Sequence, residues 1–253
     1  MINPTKKLND QVKQDIMRMQ NMSDEEVLDY VTQIEMKPSL LLLSGGLDTT
    51  TILYWLYSLQ IPFTAMSINY GQEASKEIEF AKKQCEKFKV NHVIVNISGG
   101  VIDGYTAPGE NKIMEDNQLI PNRNSVFLSL AVSYALQHGF ERVYIGVTKE
   151  SSPSFCDCQL GYIHQMNICN LVNDLKTVVI KAPLIDMPKS EIMSLAIDLG
   201  LNLEDTWSCA ENGEFPCGVC INCVLRKHEE MKFKRELERK LSFVNRSLRM
   251  YDV

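Results

Sequence analysis

A short segment near residue 40 holds residues that could bind phosphate and a metal ion. It reads LLLLSGGLDTTT from Leu40 to Thr51, an apolar run followed by two glycines and the start of a helical pattern. Gly45 and Gly46 allow positive φ and close approach of a ligand, and the amides that open a helix attract anions. Hydroxyl donors stand at Ser44, Thr49 and Thr50. Because Asp48 would repel phosphate unless a metal ion lay between them, the segment predicts a nucleotide pyrophosphate site with Mg²⁺.

Four cysteines in the last fifth of the chain have the spacing of a metal site. They are Cys209, Cys217, Cys220 and Cys223, in the pattern C-x₇-C-x₂-C-x₂-C. Four thiolates at this spacing can surround one zinc ion tetrahedrally, and a site closed by four protein ligands is structural because no position remains for a substrate. The alternative is four reduced thiols without a metal.

Two further clusters carry polar residues at the starts of predicted helices. Arg123, between Asn122 and Asn124, opens a helical pattern and predicts a second anion contact among free amide groups; the alternative is an ordinary helix cap. Asp157, between Cys156 and Cys158, precedes another helical pattern. A C-x-C pair is by itself a weak indication of metal binding.

The periodicity of the sequence predicts the elements that position these residues. Strands are expected near 40–44, 63–69, 92–97, 142–147 and 177–181, and helices near 48–60, 73–89, 123–138, 159–173 and 188–200. This alternation predicts an α/β fold with a parallel, doubly wound sheet. Ligands of such sheets bind at the carboxyl ends of the strands, where Asp48, Tyr70, Gln72 and Gly146 are expected.

Length and composition set the broad class. The chain has 253 residues, of which 45% are hydrophobic and 23% charged, and these values fit one large domain with a small appendage. No apolar run is long enough for a membrane span and no signal segment is visible, so a cytoplasmic protein is expected. A net charge of -6 argues against a broad nucleic-acid surface. Residues 226–249 are locally basic, which suits either a solvated helix face or contact with RNA or phosphate.

The N-terminal residues 1–37 form a predicted helical arm. Ser23 to Glu26 has the pattern of a capping box before an amphipathic stretch. The arm could pack on its own domain, or it could dock a partner or a second copy of the chain.

The motifs together resemble one enzyme family. Ser44–Thr49 is similar to the loop of the PP-loop ATP pyrophosphatases, and the sequence has no Walker A motif. Combined with Pro121–Asn124, Thr206–Cys209 and the four cysteines, it resembles the 7-cyano-7-deazaguanine synthases (QueC family) over residues 39–230. The resemblance implies a Rossmann-like PP-loop domain of the adenine nucleotide alpha hydrolase type at 38–205. It also implies a small zinc-bound helical part at 206–253 and a homodimer.

The resemblance also implies a reaction. Family members use ATP to adenylate the carboxylate of 7-carboxy-7-deazaguanine, let ammonia displace AMP, and dehydrate the amide to a nitrile on the route to queuosine. The implied catalytic residues are Ser44, Asp48 and Arg123. The implied nucleotide-binding residues are Leu43, Ser44, Gly45, Gly46, Leu47, Asp48, Thr49, Thr50, Asn122, Arg123, Asn124 and Gly146. The implied substrate-binding residues are Tyr70, Gln72, Phe155 and Asp157.

The chain departs from the family pattern at positions that are usually basic. Glu73 and Ala74 stand where the family usually has Arg and His, and Gln159 stands where it usually has Arg. QueC-like paralogues of anti-phage systems suggest a protein amine as the acceptor in place of ammonia. Two other classes stay open: a tRNA-modifying PP-loop enzyme that relays sulfur through Cys156 or Cys158, and an inactive nucleotide-binding module that docks a partner.

Overall fold

A parallel five-stranded sheet forms the centre of the chain. The computed structural model describes residues 36–72, 76–97, 122–149, 156–171 and 177–249. The strands are β1 (Ser39–Leu42), β2 (Phe63–Asn69), β3 (His92–Asn96), β4 (Arg142–Tyr144) and β5 (Val179–Lys181), in the spatial order β3-β2-β1-β4-β5. The predicted α/β class and parallel sheet are confirmed. The strand order reverses direction beside β1, and this reversal opens a crevice at the carboxyl ends of the strands.

Six helices in the described residues accompany the sheet. They are α1 (Leu47–Ser58), α2 (Lys76–Phe88), α3 (Arg123–His138), α4 (Leu160–Asn170), α5 (Lys189–Asp198) and α6 (Ile221–Arg249), with short 3₁₀ turns at Cys156–Cys158 and Leu203–Asp205. The predicted helices and strands are confirmed, with ends that differ by a few residues. The predicted N-terminal arm lies outside the described residues except for Met36 and Lys37.

Hydrophobic side chains cover both faces of the sheet. Leu41 and Leu43 belong to a core with α1 and α5, whereas Leu40 and Leu42 belong to a second core with α3 and α4. Burial on both faces explains why β1 is a continuous run of leucines rather than an alternating pattern. Within the described ranges, no helix is both long and apolar enough to cross a membrane.

The strand register brings the chemically important turns to one edge. Leu42 pairs with Met66 in β2, and Leu41 pairs with Tyr144 in β4. Since all strands are parallel, the segments that follow β1, β2 and β4 leave the sheet on the same side. The residues predicted from sequence to form a site therefore start from neighbouring points.

Candidate nucleotide and metal sites

The turn between β1 and α1 is shaped by Gly45. Its φ is +95°, and a β-carbon at this position would lie 2.0 Å from the carbonyl oxygen of Glu77 in α2. A side chain at position 45 would therefore be both strained and in collision with backbone. We call residues Ser44–Gly46 the nucleotide loop.

Hydrogen bonds within the turn fix the nucleotide loop against the start of α1. The Ser44 amide donates to Thr49 Oγ1 at 3.1 Å, the two hydroxyls lie 3.0 Å apart, and the Gly46 amide donates to Ser44 Oγ at 3.2 Å. The first i→i−4 bond of the helix runs from the Thr50 amide to the Gly46 carbonyl at 3.1 Å. The preceding amides of the first turn have no acceptor inside the helix and can bind an anion.

The segment that follows β4 approaches this turn closely at Gly146. A β-carbon on Gly146 would lie 2.6 Å from Thr49 Cγ2, so only glycine lets the two segments meet without displacement. Leu43, Leu47 and Thr50 are buried. Any contact of these three with a nucleotide would therefore use their backbone.

The Asp48 carboxylate forms an ion pair that the sequence does not predict. Lys189 Nζ, at the first residue of α5, lies 2.5 Å from Oδ1 and 2.6 Å from Oδ2 of Asp48. Both side chains are about three-quarters buried. The pair places one carboxylate and one ammonium group beside the helix amides, which suits a polyphosphate with a divalent cation.

Arg123, at the start of α3, contacts Tyr70 after β2 and Phe127 of its own helix, and its charge acts on Glu77 of α2. Its Nη1 donates to the Tyr70 hydroxyl at 3.2 Å, and its guanidinium carbon lies 5.8 Å from the centre of the Phe127 ring. Burial raises the pKa of Glu77 from its ordinary value of 4.5 to about 7, while the positive charge of Arg123 opposes the increase. Sequence reasoning missed Glu77, because no nearby residue marks it as part of a site.

The carboxylate of Asp157 caps α3. Asp157 is buried, and its Oδ2 accepts the backbone amide of Asn124 at 2.9 Å. Asn124 Nδ2 also donates to Cys158 Sγ at 3.3 Å. Burial, and secondarily the charge of Asp157, raises the pKa of the Cys158 thiol to about 11. Asp157 thus holds the helix that begins with Arg123.

The remaining predicted contacts have local partners. Asn122 adopts a positive φ of +61°, and its side chain accepts a hydrogen bond from the Ser125 hydroxyl. Gln72 closes the turn after β2, because its side chain accepts from the Tyr70 amide at 2.9 Å and donates to the Ile68 carbonyl at 3.2 Å. Phe155 lies outside the described residues.

The four cysteines converge as the spacing predicts. Their Sγ atoms all lie within 4.8 Å of one another, and three of the four residues are buried. The amides of Glu211 and Cys217 each donate to Cys209 Sγ at 3.3 Å. Such donors stabilise thiolate, and four thiolates at this separation fit a tetrahedral metal ion. In the described part of the chain, Cys156 and Cys158 belong to no comparable cluster.

Comparison with known proteins gives consistent relatives. A family model described as queuosine biosynthesis protein QueC matches residues 38–233. A 7-cyano-7-deazaguanine synthase of Caldicellulosiruptor saccharolyticus is 36% identical over 202 residues, covering 74% of this chain and 88% of the relative. The synthase of Clostridium kluyveri is 35% identical over 208 residues, covering 76% of this chain and 92% of the relative. The synthase of Archaeoglobus fulgidus is 34% identical over 199 residues, covering 74% of this chain and 83% of the relative.

Proposed function

The chain belongs to the QueC family of queuosine biosynthesis proteins, and from this premise we propose that it adenylates the carboxylate of 7-carboxy-7-deazaguanine. The activated base is then transferred to ammonia or another amine. The observation that carries the proposal is the nucleotide loop, where Gly45 has a positive φ, together with the first-turn amides of α1 and the Asp48–Lys189 pair at the same edge of the sheet. This set of groups suits the phosphates of ATP.

The chemistry needs two displacement steps. A carboxylate oxygen of the base attacks the α-phosphorus of ATP, and the bond to pyrophosphate breaks. The amine then attacks the carbonyl carbon of the adenylate, the carbon–oxygen bond to AMP breaks, and the amine loses a proton. Because two anions must meet in the first step, fixed positive groups have to offset their repulsion.

The nucleotide loop and the starts of α1, α3 and α5 supply those groups. The first-turn amides of α1 and the Ser44 hydroxyl would bind phosphate oxygens. The Lys189 ammonium, which contacts Asp48, would pair with a phosphate bound beside it. Asp48 would hold Mg²⁺, which neutralises phosphate charge when it is bound. Arg123 is the other fixed cation that we assign to the site, beside the α-phosphate and the carboxylate of the base.

The base would lie beside the turn after β2 and the start of α4. Tyr70 offers an aromatic ring next to Arg123, and Asp157 carries the only carboxylate that we assign to the guanine-like edge. Its Oδ2 accepts a backbone amide, and Oδ1, which lies 3.9 Å from the Cys158 thiol, is the oxygen that would accept from the base. Phe155 and Gln72 are further proposed contacts.

We assign the four-cysteine cluster to structural zinc. The donor set is four thiolates, which zinc prefers in tetrahedral geometry, and it leaves no open coordination position. The metal would therefore stabilise the region after residue 205 and take no direct part in the reaction.

A second candidate acceptor is a protein amine. The observation that favours it is the loss of basic character at three positions, of which Gln159 is exposed at the start of α4. With fewer cations beside the site, a second activation of the amide to give the nitrile would be weakened. Residues 1–37 would offer a surface for the acceptor protein.

Product analysis tests both versions. The protein is incubated with ATP, Mg²⁺ and 7-carboxy-7-deazaguanine, with either ammonia or a protein encoded by an adjacent gene, and nucleotides and intact masses are measured. We expect AMP and pyrophosphate, with Asp48→Ala inactive but folded. Formation of ADP without AMP would contradict the adenylation. A deazaguanine-sized, ATP-dependent mass increase supports the protein acceptor, whereas rapid nitrile formation without any adduct supports ammonia alone.

A further inference from the structure

The segment Leu203–Cys209, here called the linking segment, lies directly on the nucleotide loop. The amide of Trp207 donates to the carbonyl of Gly45 at 3.0 Å. The carbonyl of Trp207 would also lie 3.6 Å from a β-carbon on Gly46. Cys209, the first of the four clustered cysteines, ends the same segment. One short piece of backbone therefore contacts the nucleotide loop and supplies a ligand of the metal site.

Arg226 fastens the linking segment to α6. Its Nη1 donates to Thr206 O at 3.2 Å, to Thr206 Oγ1 at 3.1 Å and to Ser208 Oγ at 3.3 Å, and its Nη2 donates to Leu203 O. The guanidinium is only partly exposed, and Nε is paired with Glu230 at 3.0 Å. Arg226 lies one turn after Cys223, so the helix that carries a proposed metal ligand also holds the residues on both sides of Trp207.

Helix α2 holds the linking segment from another side. Gln84 Nε2 donates to Asp205 O at 3.0 Å, and Lys76 Nζ lies 4.4 Å from the centre of the Trp207 ring. The backbone of α2 at Glu77 also contacts Gly45. The nucleotide loop is thus enclosed by α2 and by the linking segment, and both must keep their positions for Gly45 to keep its conformation.

We propose that Arg226 is a positioning residue that couples the cysteine cluster to ATP binding through the main chain of Trp207. The inference rests on the proposed function, because it requires that the nucleotide loop binds ATP. With metal bound and Arg226 in place, the Trp207 amide holds the Gly45 carbonyl and keeps the loop open for phosphate. When the metal or the hydrogen bonds of Arg226 are lost, the nucleotide loop changes conformation and its affinity for ATP falls. Because binding linkage is reciprocal, ATP must then also strengthen retention of the metal by the same factor.

The test compares two variants of the zinc-loaded full chain. Arg226→Lys retains the positive charge but lacks the planar fork with which Arg226 reaches four acceptors in the linking segment. Glu230→Gln is the matched control, because it removes the ion pair within α6 and leaves every bond from Arg226 to the linking segment. Calorimetry measures the Kd of α,β-methylene-ATP, and mass spectrometry measures zinc content. We expect full zinc occupancy in both variants, and a Kd raised roughly fivefold to tenfold in Arg226→Lys alone.

A second measurement uses the unaltered protein and so does not depend on folding of a variant. The zinc Kd is measured by competition with a chromogenic chelator, with and without saturating α,β-methylene-ATP, and we expect the nucleotide to lower it roughly fivefold or more. Equal zinc Kd values with and without bound nucleotide would overturn the coupling while the proposed function stands. An unaltered Kd in zinc-loaded Arg226→Lys would also overturn it. Failure of the unaltered protein to bind the nucleotide would refute the proposed function, and the coupling with it.

Discussion

Substitution of Gly45 by alanine tests the assignment of the nucleotide loop most directly. The added β-carbon would lie 2.0 Å from Glu77 O and 2.9 Å from Ala81 N, both of them backbone atoms of α2. Ordinary contact begins at 3.4 Å, so loop and helix must separate by about 1.4 Å, since a backbone atom cannot rotate away.

The expected cost has two parts. A non-glycine residue at φ +95° loses about 1–2 kcal/mol to backbone strain. Forced separation of packed backbone loses about 1–3 kcal/mol more. For a chain of this size each kcal/mol lowers the melting temperature by about 2–4 °C. A displacement of about 1 Å in a positioned substrate lowers the rate by about 100-fold, so AMP formation should fall by that factor or more.

Gly139→Ala is the control for the conformational part alone. Gly139 ends α3 with φ +77°, and a β-carbon there meets nothing within 4 Å. We expect a loss of about 1–2 kcal/mol in stability and no change in AMP formation. Melting temperature and AMP production are measured for both variants at one ATP concentration. If Gly45→Ala behaved like Gly139→Ala in both measurements, the close packing of the loop on α2 would have no part in binding the nucleotide.

Three further predictions address the metal, the base and the pH dependence of folding. Cys220→Ser should lose zinc in metal analysis and melt at lower temperature, because metal binding at such a site contributes to folding, whereas the exposed Cys169→Ser should retain both properties. Asp157→Asn keeps one oxygen for the Asn124 amide but replaces the oxygen assigned to the base by an NH₂ donor. Binding of 7-carboxy-7-deazaguanine should therefore weaken roughly tenfold or more, while ATP affinity, measured in parallel, is unchanged. Burial raises the pKa of Glu77 from 4.5 to about 7 in the folded chain. Between these two pH values the folded chain binds more protons than the unfolded chain. The unfolding free energy should therefore fall by up to about 1.4 kcal/mol per pH unit as the pH rises through that window. Glu77→Gln should remove that decline in denaturant titrations, and identical pH profiles of the two proteins would contradict the assignment.

The sequence was sufficient where the physical signal is local. Leu40–Leu43 between polar segments predicts a strand buried on both faces, and the structure has β1 there. The spacing of the cysteines predicts their convergence, since spacings of two and seven residues allow four thiols to surround one ion. The glycines of the nucleotide loop and Arg123 at a helix start are likewise identified by their neighbours in sequence.

The contacts that the sequence did not predict join residues far apart in the chain. Lys189 begins a helix like many lysines, and only the packing of α5 beside α1 places it on Asp48. Asp157 was expected to face the base, yet one of its oxygens caps α3, because the 3₁₀ turn at 156–158 runs past that helix end. Such pairings depend on the paths of the connecting segments, which carry no periodic pattern.

The hydrogen bond from Trp207 to Gly45 has a consequence for the order of events during protein synthesis. The nucleotide loop leaves the ribosome early, together with β1, but the donor for its carbonyl is translated much later and is fastened only after Arg226 has emerged. Contacts between residues so distant in the chain form late and slowly. A nascent chain that ends before α6 therefore has the linking segment but lacks Arg226, which fastens that segment beside the proposed ATP site. On the proposed function, we expect ATP cleavage to begin only after synthesis has passed Arg226.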